Sequence, residues 1–284
     1  MTHDLDPSQT AVPHAPPALA HHLAARFAAL PGVAAVALAG SQTTGLAAAD
    51  ADLDIYAYAD PAIPLPDRAA IAVDGHHPEL DLSPWEPGDT WLDAATGRRI
   101  DVMYRTPIWI EDQLDRLLVH HEAAVGYSTA LWHNVRTSVP LFDREGWYAA
   151  LQRRADQPYP EALRRAIIAK NHPLPRERSF SFFHQIEAAL ARRDGVAVQH
   201  RLTAFLASYF DVLFALNRVP HPGEKRLVAY AVQSCPLRPD DLAARLDTIL
   251  ASAAPPWDAR TCNAGLVSLL DHLDQALEQS GPPR

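Results

Sequence analysis

The chain of 284 residues is poor in cysteine and lysine, with Cys235 and Cys262 for the first and Lys170 and Lys225 for the second. Two cysteines without metal-ligand spacing exclude a disulfide framework and the usual zinc sites, so a reducing compartment, the cytoplasm, is expected. No apolar run approaches the roughly 20 residues that a membrane-spanning helix needs, and no membrane role is expected. Met1 to Pro17 offers His3, Asp4, Asp6 and prolines where an export signal would need a basic start and an apolar stretch. No export signal is read there. Positive charge is also short: 25 Lys and Arg against 34 Asp and Glu leave a net charge of -9. That balance argues against gripping a nucleic-acid backbone through a basic surface, and makes nucleic acid an unexpected partner.

What the sequence does hold is apolar material for real cores, 48% of its residues, in a length that suits two domains. From Pro17 to Leu30, Leu19, Leu23, Phe27 and Leu30 recur at helical spacing, and Pro31-Gly32 ends that helix. Val33 to Ala39 is a short apolar run that predicts a buried strand, cut off by Gly40-Ser41, where a turn onto a helix is expected. Leu53, Ile55 and Tyr56 mark a second strand ending near Asp60, and the Pro-rich stretch Pro61 to Pro66 reads as a loop. Thr90 to Ala95 and Arg98 to Arg105 flank Thr96-Gly97 as a hairpin, with Asp101 in mid-strand. From Pro107 the pattern turns helical and strands largely stop. Segments 146–155, 160–171, 178–193, 196–217, 224–233, 239–253 and 260–279 all read as helices separated by Pro or Gly. The fold class is therefore α+β, a small mixed-sheet core over 17–145 followed by an all-helical bundle over 146–280.

Chemistry concentrates in Leu38-Ala39-Gly40-Ser41, ten intervening residues, and Asp52-Leu53-Asp54-Ile55-Tyr56. Side chains two apart on a strand point the same way, so Asp52 and Asp54 present two carboxylates on one face while Leu53 and Ile55 turn into the core. Magnesium takes a few carboxylates together with phosphate oxygens and waters. Two such ions, about 3.5 to 4 Å apart, clamp the attacking and leaving oxygens of an in-line displacement, and a third carboxylate normally bridges them. Asp101 is the candidate, because a charge in an otherwise apolar strand needs a metal or hydrogen bonds to compensate its burial. Gly40 permits close backbone approach, and the Ser41 hydroxyl with the following backbone N–H groups suits terminal phosphates.

A Gly-Ser turn, ten residues, Asp-x-Asp and a later strand aspartate resemble the nucleotidyltransferase superfamily of polymerase-beta-like and antibiotic nucleotidyltransferases. The resemblance covers roughly 17–120. Ala51 departs from it, since many members carry serine before the first aspartate. The resemblance implies a nucleotidyltransferase core in which Asp52, Asp54 and Asp101 hold two Mg2+ ions, with Gly40 and Ser41 on the nucleotide phosphates. It also implies transfer of a nucleoside monophosphate, with ATP as the expected donor, to an acceptor hydroxyl with release of pyrophosphate. The remainder resembles bacterial members with an uncharacterised helical C-terminal domain, which leaves the acceptor open among an aminoglycoside-like small molecule, a protein hydroxyl and a transfer RNA end.

Lys225, expected at a helix start in the second domain, is a candidate to neutralise charge developing on pyrophosphate across the cleft, or a solvated lysine beside Glu224. The base for the acceptor is Asp101, Glu122 or one of His120 and His121. His133 and Asn134 suit capping or core hydrogen bonding, and Phe180, Phe182, Phe183, Phe205, Tyr209, Phe210 and Phe214 suit helix packing. The rival class is a non-catalytic nucleotide-binding or antitoxin-like partner protein that keeps the fold.

Overall fold

The computed structural model describes residues 16–40, 51–82, 87–176 and 179–280. Their backbone divides into two compact units, one from Met1–Gln113 and Asn134–Gln157, the other from Leu114–His133 and Pro158–Arg284. In chain order the elements are α1 (Ala18–Ala28), β1 (Val33–Ala39), β2 (Leu53–Ala59), α2 (Leu65–Ile71), β3 (Gly75–Leu82), β4 (Gly88–Asp93), β5 (Arg99–Arg105), α3 (Pro107–Leu118), α4 (Ala130–Thr137), β6 (Val139–Asp143) and α5 (Trp147–Ala155). Then follow α6 (Glu161–Asn171), α7 (Phe182–Ala191), α8 (Gly195–Asn217), α9 (Leu227–Ser234), α10 (Leu242–Ser252) and α11 (Ala259–Gln279). None of the helices is long and apolar enough to cross a membrane among the described residues.

The first unit is built on a mixed sheet of six strands in the order β3-β4-β5-β2-β1-β6. β2 and β5 run parallel, and the other neighbours are antiparallel. The period of two sorts the strands into faces. Leu53 and Ile55 of β2, Ile100 and Val102 of β5 and Val36 and Leu38 of β1 form one apolar face. The same cluster takes in Leu23 and Phe27 of α1, which recur every four residues, and Ile71 of α2. On the other face Tyr58 of β2 meets Tyr148 and Trp147 of α5 at centroid distances of 5.2 and 5.4 Å. Two edges of this sheet depart from the sequence expectation. α2 begins inside the stretch expected to be loop, and β3 follows it, although Gly75-His76-His77-Pro78 has none of the β-branched or aromatic residues that mark a strand. Strands also do not stop at Pro107, because β6, only five residues with Pro140 inside, pairs antiparallel with β1.

Within the core a charged group is fully enclosed. The Arg68 guanidinium reaches Asp89 through Nε at 2.9 Å and through a second nitrogen, while the Tyr104 hydroxyl donates to Asp89 at 2.6 Å. Burial pushes the Asp89 carboxyl up, but the hydrogen bonds from Arg68 and Tyr104 outweigh it and hold its pKa below the ordinary carboxylate value. Its stabilisation is therefore present above the unfolded pKa of about 3.9 and lost as pH falls through the folded one. Arg68→Met leaves the Asp89 charge buried without its counter-charge, and urea denaturation should show a loss of about 3 to 5 kcal/mol, with a smaller loss when Asp89→Leu is added.

The second unit is helical around α8, whose Phe205, Tyr209, Phe210 and Phe214 are buried against α7, α10 and α11 side chains such as Ile186, Leu246 and Leu266. Side-chain oxygens of Ser181, Asp194 and Asp258 cap the N-termini of α7, α8 and α11. Phe182 and Phe183 pack on the same core, as expected, but Phe180 is 85% exposed because it precedes the Ser181 cap and points off the helix. Asp211 of α8 is also buried, and accepts the Ser128 hydroxyl at 2.6 Å, the Ser128 N–H at 3.0 Å and the Asn171 amide at 3.2 Å. Burial raises its pKa to about 6, and the Ser128 hydrogen bonds restrain the rise. A folded pKa above the unfolded value of about 3.9 means that this group favours the fold most below that value and loses the benefit as pH rises through 6. Chemical denaturation from pH 4 to pH 7 should show wild type losing roughly 1 to 3 kcal/mol relative to Asp211→Asn.

Candidate functional site

The parallel β2–β5 pair sets the geometry of the acidic residues. Its register places Leu53 beside Ile100, Asp54 beside Asp101 and Ile55 beside Val102. Register partners on neighbouring strands, about 4.8 Å apart, project to the same face. Asp54 and Asp101 therefore stand side by side, on the face opposite the core that takes Leu53, Ile55, Ile100 and Val102. Asp52 precedes β2 by one residue and shares the parity of Asp54. All three aspartates are half-buried. Continuing the row across the sheet, Ala39 pairs with Asp54 on one side and Thr90 pairs with Asp101 on the other.

Gly40 closes β1 beside this row with φ of +70°, the left-handed region that L side chains enter at a cost. A Cβ built there would lie 1.9 Å from Oδ2 of Asp54, so the glycine leaves the space that the carboxylate fills. Ser41 lies outside the described residues. Farther along the same face, the Arg105 guanidinium covers the Tyr56 ring at 4.1 Å, and the Asn134 amide donates to the Tyr56 hydroxyl at 3.4 Å. These packed groups form a firm floor behind the aspartates.

The donor set fits a hard divalent cation in chemistry, because carboxylates from two adjacent strands meet the need of Mg2+ for one or two protein ligands beside water and phosphate oxygens. Among the described residues no three His, Cys, Asp or Glu side chains are grouped closely enough to hold a metal by themselves. The pair Asp54 and Asp101 is thus the part of the expected triad that the strand register itself juxtaposes.

The remaining residues singled out in the sequence belong to the second unit. Lys225 belongs to the second unit and is exposed in the turn just before α9. Glu122, also in the second unit, pairs with Arg116 at 2.8 Å, both side chains largely exposed. His120 is exposed and His121 half-buried, and the backbone of His121 has φ of +54°. His133 is buried with its ring against Tyr230 at 5.3 Å. Sequence reasoning alone does not single out Thr90, Tyr56 or Arg99, which the register and contacts place on the face of the aspartates. The parity of Asp101 is signal enough for Arg99, two residues before it, whereas Thr90 becomes visible only through the β4–β5 register.

No family model matches the chain, and no curated protein matches it. Among solved structures, a nucleotidyltransferase-like protein from Exiguobacterium sibiricum 255-15 aligns at 11% identity and a TM-score of 0.44, covering 90% of this chain and 73% of that one. The Thermotoga maritima CCA-adding enzyme complexed with tRNA aligns at 12% identity and a TM-score of 0.28, covering 92% of this chain and 80% of that one.

Proposed function

We propose that this chain is a metal-dependent nucleotidyltransferase that moves a nucleoside monophosphate, AMP from ATP, onto the hydroxyl of an acceptor and releases pyrophosphate. The observation that carries the reading is the register of Asp54 beside Asp101, with the Asp54 carboxylate seated against Gly40. Asp54 and Asp101, with Asp52 on the same face, would hold Mg2+. Bound there, the ion supplies charge neutralisation at the phosphate oxygens.

The chain's own groups account for the rest. Gly40, without a Cβ, leaves room for the Asp54 carboxylate beside the place where a phosphate would approach. The acceptor oxygen forms a bond to the α-phosphorus, the α–β phosphoanhydride bond breaks, and pyrophosphate leaves with the electron pair. Asp101, at the centre of the row, takes the hydroxyl proton. Tyr56 and Arg105 keep the floor rigid, which holds the reacting groups in line.

Nucleotide binding tests this reading separately from catalysis. ATP with magnesium should raise the melting temperature by several degrees, as ligand at about 100 times its Kd adds roughly 2.7 kcal/mol. ATP with EDTA should lose most of that shift. The absence of any shift, together with co-purification of a partner protein, favours a non-catalytic binding module.

A further inference from the structure

Beside the acidic row the first unit has an open cleft of about 730 Å³, lined by Leu19, Asp52, Leu92, Thr96, Arg98 and Arg99 among others. A volume of that order suits a small molecule. The strand register explains its composition. With Leu53 beside Ile100, Asp52 comes abreast of Arg99, and Arg99 in turn pairs with Leu92 of β4. Asp52, Arg99 and Leu92 therefore continue the face of Asp54 and Asp101 by one step outward, while Leu19 comes from α1, which packs against the apolar face.

Arg99 is exposed, and its hydrogen-bond partner among the described residues is the Thr90 hydroxyl at 3.4 Å, a long contact. It forms no ion pair with a carboxylate among the described residues, although its strand position sets it next to Asp52 and two residues from Asp101. Gly40 lies on the opposite flank of β2 from β5 in the strand order. If the nucleotide phosphates occupy the Gly40 flank, the β5 flank with Arg99 is left for the second substrate.

We propose that this cleft is the acceptor subsite, and that the acceptor is a small hydroxyl compound carrying an anionic group, a phosphate or a carboxylate, held by Arg99. A guanidinium grips either anion through two parallel hydrogen bonds. Leu92 faces the carbon skeleton, and the hydroxyl is turned along β5 toward Asp101, two residues from Arg99. The proposal rests on the nucleotidyltransferase reading and narrows it, because a polycationic, aminoglycoside-like acceptor would meet the like charge of Arg99 here.

The test is titration calorimetry on the full chain saturated with magnesium and a non-hydrolysable ATP analogue, with inorganic phosphate and acetate as separate probes. Wild type should bind one or both, the stronger arm identifying the anion. In Arg99→Ala that Kd should rise at least tenfold, with the Kd of the ATP analogue changed less than twofold and Arg99→Lys intermediate. Failure of wild type to bind either anion, an unchanged anion Kd in Arg99→Ala, or an equal loss of the ATP analogue overturns the proposal. So does nucleotide transfer to an aminoglycoside or a transfer RNA in preference to glucose 6-phosphate. Failure of wild type to bind the ATP analogue at all is a different result, and sinks the nucleotidyltransferase reading itself.

Discussion

Asp101→Asn should lower nucleotidyl transfer on the order of a thousandfold, the scale of removing one electrostatic stabiliser from an active site, while leaving the melting temperature within a few degrees of wild type. Asn keeps the shape and part of the hydrogen-bonding capacity of Asp and removes the charge and the proton acceptor. Asp101 stands next to Asp54 on the face away from the apolar core, so removing its charge is expected to spare the fold. Asp54→Asn should behave alike. A loss of several kcal/mol of stability in either variant, without a selective loss of turnover, would make these aspartates structural. The contrast with Asp89 is instructive, since that carboxylate is enclosed with Arg68 and Tyr104 and its removal should act on stability.

Gly40→Ala has the second large expected effect, about a hundredfold on turnover. Two independent causes act there. An L side chain at a φ of +70° costs about 1 to 2 kcal/mol in conformational energy, and the new methyl would fall 1.9 Å from the Asp54 carboxylate oxygen. The carboxylate must swing away, and displacement of a reacting group by about 1 Å is enough for a loss of that size. If the effect runs through Asp54, the double variant with Asp54→Asn should be little slower than Asp54→Asn alone. Additive losses in the kinetic cycle would instead place Gly40 in a separate role.

The parts of the fold that are legible in the sequence are those with a strong local period. β1 and β2 are short apolar runs stopped by a glycine and a proline, and the face of Asp54 follows from strand alternation alone. α2, β3 and β6 are not legible, for a physical reason in each case. α2 has only seven residues, β3 takes its strand form from pairing with β4, and β6 is a five-residue edge strand containing proline. Their formation is decided by neighbours that a local pattern does not contain. The same limit applies to the site. Alternation gives the facing of Asp52 and Asp54, but the juxtaposition of Asp54 with Asp101 is a property of the β2–β5 register, across more than forty residues of chain. The pairing of Arg68 with Asp89 is likewise set by how α2 lies on the sheet. Phe180 shows the converse error, an aromatic assigned to packing by its neighbours when the cap at Ser181 turns it outward.

Product mass reports whether the Asp54 and Asp101 pair beside Gly40 performs nucleotidyl transfer. Wild-type protein, magnesium, labelled ATP and a mixed panel of hydroxyl acceptors should yield pyrophosphate in step with an acceptor heavier by one AMP, and both should vanish in Asp101→Asn. A folded wild-type protein that gives neither product, or an Asp101→Asn variant that forms both at the wild-type rate, would contradict that role.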